Sequence, residues 1–235
     1  MQTPHTKRPS LGSQGFTLVE MLTVIGIIAL LVALVTPALV DVIRATRLGS
    51  AGDSLFNRLS LAQQSAISQN TEVELRFYQY INVDSDNPGE AAFYAYQVVS
   101  TPPGADPQAI SEVYYLESGV VISQLAKLSP LLGTVVQQHG DSKGNYIFKP
   151  AVSGVLPNQV RYAALRFYTD GSCRKLSESD VVTTAEQAAI AYTIPPLKYS
   201  FLTLIESRDA LSQDPRNFYC IQVDTYTGKT RVYRP

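Results

Sequence analysis

The chain has little of what catalytic and metal-binding proteins are usually built on. Two cysteines and two histidines in 235 residues cannot make a disulfide framework and are a poor fit to a structural zinc site. An excess of one charge is also missing. Nineteen Lys and Arg stand against 20 Asp and Glu, a net charge of −1, without the basic surplus of a nucleic-acid binder. No Walker loop and no G-x-G-x-x-G is present, so phosphate cradle and dinucleotide site lack their signatures. Charged residues make up 17% of the chain and apolar ones 45%, which is globular and not disordered. The length suits one generous domain or two small ones.

What is present lies at the start. Residues 1–15 are polar, carry Lys7 and Arg8, and have no acid. Phe16 to Val40 then has Glu20 as its sole charge, and Met21 to Val40 are twenty consecutive uncharged residues. As a helix they would span roughly 30 Å, the hydrocarbon thickness of a bilayer. Basic residues ahead of the span favour a cytoplasmic N-terminus, with the bulk of the chain across the membrane. A secretory signal has a shorter apolar run, with its small residue after the run; here Gly15 precedes it. A plain anchor explains the length but not a carboxylate one turn inside.

Gly15-Phe16-Thr17-Leu18-Val19-Glu20-Met21-Leu22 resembles the processing and methylation site of type IV pilins and pseudopilins. That resemblance implies a prepilin peptidase cutting after Gly15 and methylating the amine of Phe16. It makes Glu20 the family's fifth-position glutamate and Pro37 its commonly placed proline. Glu20 lies four residues beyond Phe16, on one helix face. A buried carboxylate needs a cation, and a cleaved Phe16 would supply an ammonium at matching depth; in the family the partner is usually the amine of an adjacent subunit. Alternatively, Glu20 sits hydrated among the headgroups. Pro37 should kink or interrupt the helix, with Thr36 able to satisfy freed groups, or mark a simple bend at the membrane exit.

Beyond the span, Leu48, Ala51, Leu55, Leu59, Ala62 and Ala66 recur at spacings of three and four, one face of an amphipathic helix on which a sheet would pack. Gly49 and Gly52 weaken it, and it should end near Asn70. Thr71 to Tyr80 alternates, as a half-buried strand does, with Val73, Leu75 and Phe77 inward and Glu72, Glu74 and Arg76 outward. Further strands are expected at Ala92–Val99, Glu112–Ile122 (turning at Ser118-Gly119), Tyr146–Lys149, Arg161–Tyr168, Phe201–Ile205, Phe218–Asp224 and Thr230–Tyr233, with turns at Asp170-Gly171 and Thr227-Gly228. Thr183 and Glu186 could cap a short helix over Ala185–Tyr192. The expected fold is α+β: a long N-terminal helix, transmembrane over 16–40 and amphipathic over 41–70, packed on an antiparallel β-sheet within a domain over 71–235.

Pilins and pseudopilins have that arrangement. The ending Asn217–Pro235 and the run Arg166–Ser172 resemble the minor-pseudopilin H type and, more closely, the D protein of the Verru_Chthon cassette; departures are expected at Ile81–Ala91 and Thr183–Lys198. Cys173 and Cys220 lie in the domain placed outside the cytoplasm, where disulfides persist. A bridge would close about 48 residues and stabilise by roughly 4 kcal/mol in the chain-entropy model; two free thiols are the alternative. Asp84 to Glu90 has carboxylates suited to calcium, but Pro88 occupies a ligand position, and a solvated turn fits better. After loss of the leader His139 is the sole histidine, and the balance becomes 17 basic to 20 acidic residues, so the 14 tyrosines read as sheet cover and not as a nucleic-acid stacking platform.

The resemblance implies a structural subunit, single-pass in the inner membrane, its globular domain periplasmic, and the residues themselves point to no catalytic, cofactor or metal site. Its partners would be prepilin peptidase, other pilin-like subunits and the inner-membrane assembly platform of a type II secretion pseudopilus or related filament. The rivals are a pilus or competence subunit touching DNA or a surface, and a tethered binding domain that never polymerises.

Overall fold

A computed structural model describes residues 15–235 other than 86–87, 142, 153 and 178–191; the side chains of residues 37 and 38 also lie outside the description. The leader residues 1–14, the Thr183/Glu186 cap and residues 185–191 of the short helix expected with it are therefore outside it. Tyr192, the last residue of that expected helix, is in a strand instead. The chain divides into two compact units, 1–43 and 44–235.

Among its described residues the first unit holds Gly15–Thr17 and the start of one long helix, α1 (Leu18–Gln69). From Leu18 through Val42 its large apolar side chains are exposed, Leu30 by 63% and Leu34 by 69%. This stretch is long and apolar enough to cross a membrane. Burying one such side chain is worth about 1.5–3 kcal/mol, so leaving so many of them in water would be costly.

In the second unit α1 continues and twelve strands follow among the described residues. In chain order they are β1 (Val73–Ile81), β2 (Ala91–Ser100), β3 (Gln108–Ala109), β4 (Tyr114–Tyr115), β5 (Val120–Ile122), β6 (Val136–Gln137), β7 (Arg161–Phe167), β8 (Cys173–Leu176), β9 (Tyr192–Thr193), β10 (Phe201–Glu206), β11 (Phe218–Val223) and β12 (Thr230–Tyr233). They form one antiparallel sheet in the order β12-β11-β10-β5-β2-β1-β7-β8-β9, with β3 and β4 also on β2 and β6 on β7. The expected α+β class, a helix on an antiparallel sheet, is what forms.

The stripe Leu48, Ala51, Leu55, Leu59, Ala62 and Ala66 is buried throughout, against Leu75, Phe77, Val98, Leu165, Leu204 and Ile221 of the sheet. The 3.6-residue period of the helix and the two-residue period of the strands meet on one plane. α1 ends as a Schellman motif: Asn70 turns left-handed at φ 49°, and the N–H groups of Asn70 and Thr71 donate to Ile67 O and Ala66 O. Gln63 Nε2 then donates to Gly171 O and Thr227 O, tying the β7–β8 and β11–β12 turns to the helix. A side chain on Gly228 would meet both Gln63 and the Gly171 carbonyl.

Gly49 and Gly52 do not interrupt the helix. Gly52 is buried beneath the Tyr219 ring, where a Cβ would overlap the ring carbons. Tyr219 is fixed there because its hydroxyl donates to Asp53 Oδ1 at 2.7 Å and the Arg234 guanidinium lies over its ring.

The second face of the sheet departs from the half-buried strand expected of β1. Glu74 and Arg76 are buried, and Tyr78, Tyr80, Tyr162 and Val160 form a second apolar cluster with Phe148. Residues 146–149, expected as a strand, pair with no strand. The side-chain amide of Gln138 takes both main-chain groups of Phe148: Nε2 donates to its carbonyl and Oε1 accepts from its N–H. Glu112–Ile122 is broken into β4 and β5 by the turn at Gly119, where Val120 N donates to Glu117 O. The strands β3, β6, β8 and β9 were not anticipated; all but the four-residue β8 are only two residues long.

Two substitutions separate packing from helix propensity. Gly52→Ala should destabilise the protein by about 1–3 kcal/mol in urea denaturation, as overpacking does. Gly49→Ala, whose Cβ would sit in ordinary contact with Arg234 at 3.5 Å, should be neutral or stabilising by up to about 1 kcal/mol. Equal effects at the two positions would contradict the close approach at Gly52.

Candidate functional site: the start of the helix

Gly15, Phe16 and Thr17 precede α1 without regular structure, and Phe16 is 77% exposed. Thr17 is the helix N-cap. Its Oγ1 accepts from Glu20 N at 3.2 Å, and Glu20 Oε2 accepts from both Thr17 N and Thr17 Oγ1 at 2.8 Å. This is a reciprocal capping box, which satisfies two donors that a helix start otherwise leaves open. Thr23 Oγ1 adds a bond to Glu20 O. In this chain, then, the Glu20 carboxylate is served by its own N-cap residue. The spacing Thr17-x-x-Glu20 announces such a cap in the sequence, yet Thr17 was not singled out there.

α1 runs through residue 37 without a break, so the proline does not end the helix. Thr36 Oγ1 donates to Val32 O at 2.7 Å, one position before the Ala33 carbonyl that a proline at 37 leaves without its usual donor.

The two cysteines lie apart. Cys173 on β8 is buried in the helix-side core beside Phe167. Cys220 on β11 alternates with the core residues Tyr219 and Ile221, so it faces the other side of the sheet and is half-buried. Cys173 N donates to Thr225 O, five residues beyond Cys220 and past the end of β11. Side chains on opposite faces at that separation are not bridged, and both thiols are free. Burial pushes the Cys173 thiol up to about 12, making it inert as a nucleophile. The bridged alternative weighed from sequence is therefore not the arrangement found.

A further group of charges, not anticipated from sequence, lies inside the domain. Glu74 Oε1 accepts from Arg166 Nη2 and from the Tyr192 hydroxyl, each at 2.6 Å, while Oε2 accepts from Arg76 Nε at 2.7 Å. Arg166 also reaches Glu72 at 2.6 Å and stacks on Tyr192, as Arg76 does on Tyr162. Burial alone would raise the Glu74 carboxyl, but Arg76 and Arg166 outweigh it and hold it below its usual range. The signal was in the strand itself: Tyr78 and Tyr80 share a face with Glu74 and Arg76, and aromatics there mark a covered surface. Every partner in this group is another side chain of the fold, so it serves structure.

Elsewhere the surface carries little chemistry. His139 is exposed, and a small cleft among Ser85, Glu90, Tyr94, Gln124, Ser207 and Leu211 contains no histidine. Among the described residues no three His, Cys, Asp or Glu side chains stand together to hold a metal ion.

No protein-family model matches the chain, and no curated protein matches its sequence. Two solved structures of the minor pseudopilin EpsH from the type II secretion system of Vibrio cholerae are similar to it at 11% and 12% identity, each with a TM-score of 0.39. They cover 80% and 81% of this chain and 98% and 95% of their own. At that score the likeness is loose, and the helix-on-sheet architecture stands on the elements described above.

Two outcomes follow from this geometry. Intact mass should be the same with and without reductant; a two-hydrogen difference would mean that the cysteines had met. Because the carboxyl of Glu74 is held low, its contribution is complete above its ordinary value near 4.5 and drains away as pH falls below it. Glu74→Gln should cost about 3–5 kcal/mol at neutral pH, as breaking a buried ion pair does. In denaturation midpoints the gap to wild type should narrow in acid; a gap independent of pH would contradict the assignment.

Proposed function

We propose that the chain is the precursor of a pilin-like structural subunit, matured by cleavage after Gly15 and methylation of Phe16, that packs with similar subunits in a type II secretion pseudopilus or related filament. One observation carries this reading: the run Gly15 to Glu20 lies directly against an exposed apolar helix whose distal half is built into a sheet domain. A peptidase site needs an accessible bond, and Gly15 and Phe16 are exposed outside the helix. The apolar half needs lipid or other helices around it, and a filament core of packed helices supplies the second once the first is left.

Glu20 takes the assembly role in this reading. The capping box leaves Oε1 of its carboxylate without a bond to Thr17, and cleavage would create an ammonium on Phe16 of each copy. In an apolar core that charge pair is favoured because neither member finds water. The subunit would sit in the inner membrane with a cytoplasmic N-terminus and a periplasmic domain, its partners being the peptidase, other pilin-like subunits and the assembly platform. Its role is structural and not catalytic.

Protein recovered from native membranes should begin at Phe16 and carry one added methyl group by mass spectrometry. Glu20→Ala should still insert but lose cross-linking to filament partners. A chain that keeps its first fifteen residues where a prepilin peptidase is present would instead be a tethered domain.

A further inference from the structure

β12 closes one end of the sheet, and among the described residues no strand pairs with its outer edge. The hairpin register shows which main-chain groups are open. Asp224 N donates to Lys229 O and Gly228 N to Asp224 O, so Arg231 and Tyr233, opposite Gln222 and Cys220, turn their N–H and C=O toward β11. Thr230 and Val232, opposite Val223 and Ile221, turn theirs outward. The alternation is consistent on the far side, where Val223 N donates to Ser200 O. Such an edge is a template for another strand, and natural edges are blunted by bulges, prolines, covers or charged side chains. Among the described residues Thr230–Tyr233 has only the last of these, Arg231, and Val232 and Tyr233 are 38% and 49% exposed.

The charge of the edge selects its occupant. Lys229, Arg231 and Arg234 put three cations in six residues. Arg234 is committed to Asp53 at 3.0 Å, and Asp224 across the hairpin feels Arg231, but Lys229 and Arg231 remain exposed. A second copy fits poorly. Antiparallel self-pairing centred on Thr230 sets Lys229 against Arg231 of the copy, and centring on Arg231 sets it against itself; like charges directly opposite are destabilising. Centring on Val232 pairs Thr230 with Arg234, which lies past the end of β12, so Thr230 finds no strand partner there.

We propose that the outer edge of β12 accepts an extended acidic strand of a partner protein, which bonds to the main chain of Thr230 and Val232 and sets a carboxylate opposite Arg231. Main-chain bonds would supply affinity and the alternating carboxylates specificity. The inference does not rest on processing at Gly15, so it is tested on the full, uncleaved chain in detergent micelles. The probe is a short capped peptide alternating Glu with Val and Thr, compared with the same peptide carrying Lys for Glu. The acidic peptide should bind at least about tenfold more tightly at low salt, lose that advantage as salt rises, and slow hydrogen exchange at Thr230 and Val232. Val232→Pro removes an outward donor while leaving the ladder to β11 intact, and should abolish the protection. Arg231→Glu, which leaves the backbone untouched, should reverse the preference between the peptides. Equal binding of both peptides, no protection at Thr230 and Val232, an unreversed preference in the Arg231 variant, or concentration-dependent protection without peptide (a second copy on the edge) would overturn it.

Discussion

The rest of the structure depends on one contact, the seating of the distal part of α1 on the sheet. Leu48, Leu55 and Leu59 fill the space between helix and strands, while Ala51, Gly52, Ala62 and Ala66 keep their own positions thin so that the sheet can come close. Interiors pack at near-crystalline density, so large residues at the small positions would push the layers apart. Two polar fastenings then help fix the register of that contact, Tyr219 and Arg234 on Asp53 and Gln63 on the two turn carbonyls, and the left-handed Asn70 stops the helix where β1 must begin.

The same helix carries two different solutions to the burial of apolar side chains. From Arg44 onward the apolar side is a stripe and the sheet covers it. From Leu18 to Val40 the helix is apolar on every side, and its described large apolar side chains are exposed. A helix apolar all round belongs in a membrane or among other helices, and the pilin-like reading supplies both in sequence. Within that reading Glu20 draws a partner from another copy. Thr17 occupies Oε2 of its carboxylate and leaves Oε1 for one.

Much of this was legible before the structure. The stripe from Leu48 to Ala66 is visible because a one-faced helix announces itself through its period, and the end near Asn70 because the pattern changes period there. The strands β1, β7, β10, β11 and β12 were legible for the same reason, being long enough to alternate, and Asp170-Gly171 and Thr227-Gly228 mark their turns. What failed were judgements about the sheet's other side. Glu74 and Arg76 look like solvent residues when read singly, and only the tertiary arrangement that brings Arg166 and Tyr192 to them makes their burial tolerable. Residues 146–149 looked like a strand because Tyr146, Ile147 and Phe148 are strand-prone types; the main chain of Phe148 is met instead by the Gln138 side chain, which no local pattern reveals. The two thiols could not be placed from spacing, because alternation sets the face a residue occupies while the sheet order sets its distance.

Hydrogen exchange along α1 tests the central claim most directly, comparing the full chain in lipid nanodiscs with the same chain in short-chain detergent. The account predicts that amides of Leu55, Leu59 and Ala62 exchange only with global unfolding of the domain in both media, while those from Val24 to Val35 change their protection with the medium. Exchange at Leu55 to Ala62 as fast as in a free helix, or protection of Val24 to Val35 that ignores the medium, would contradict it.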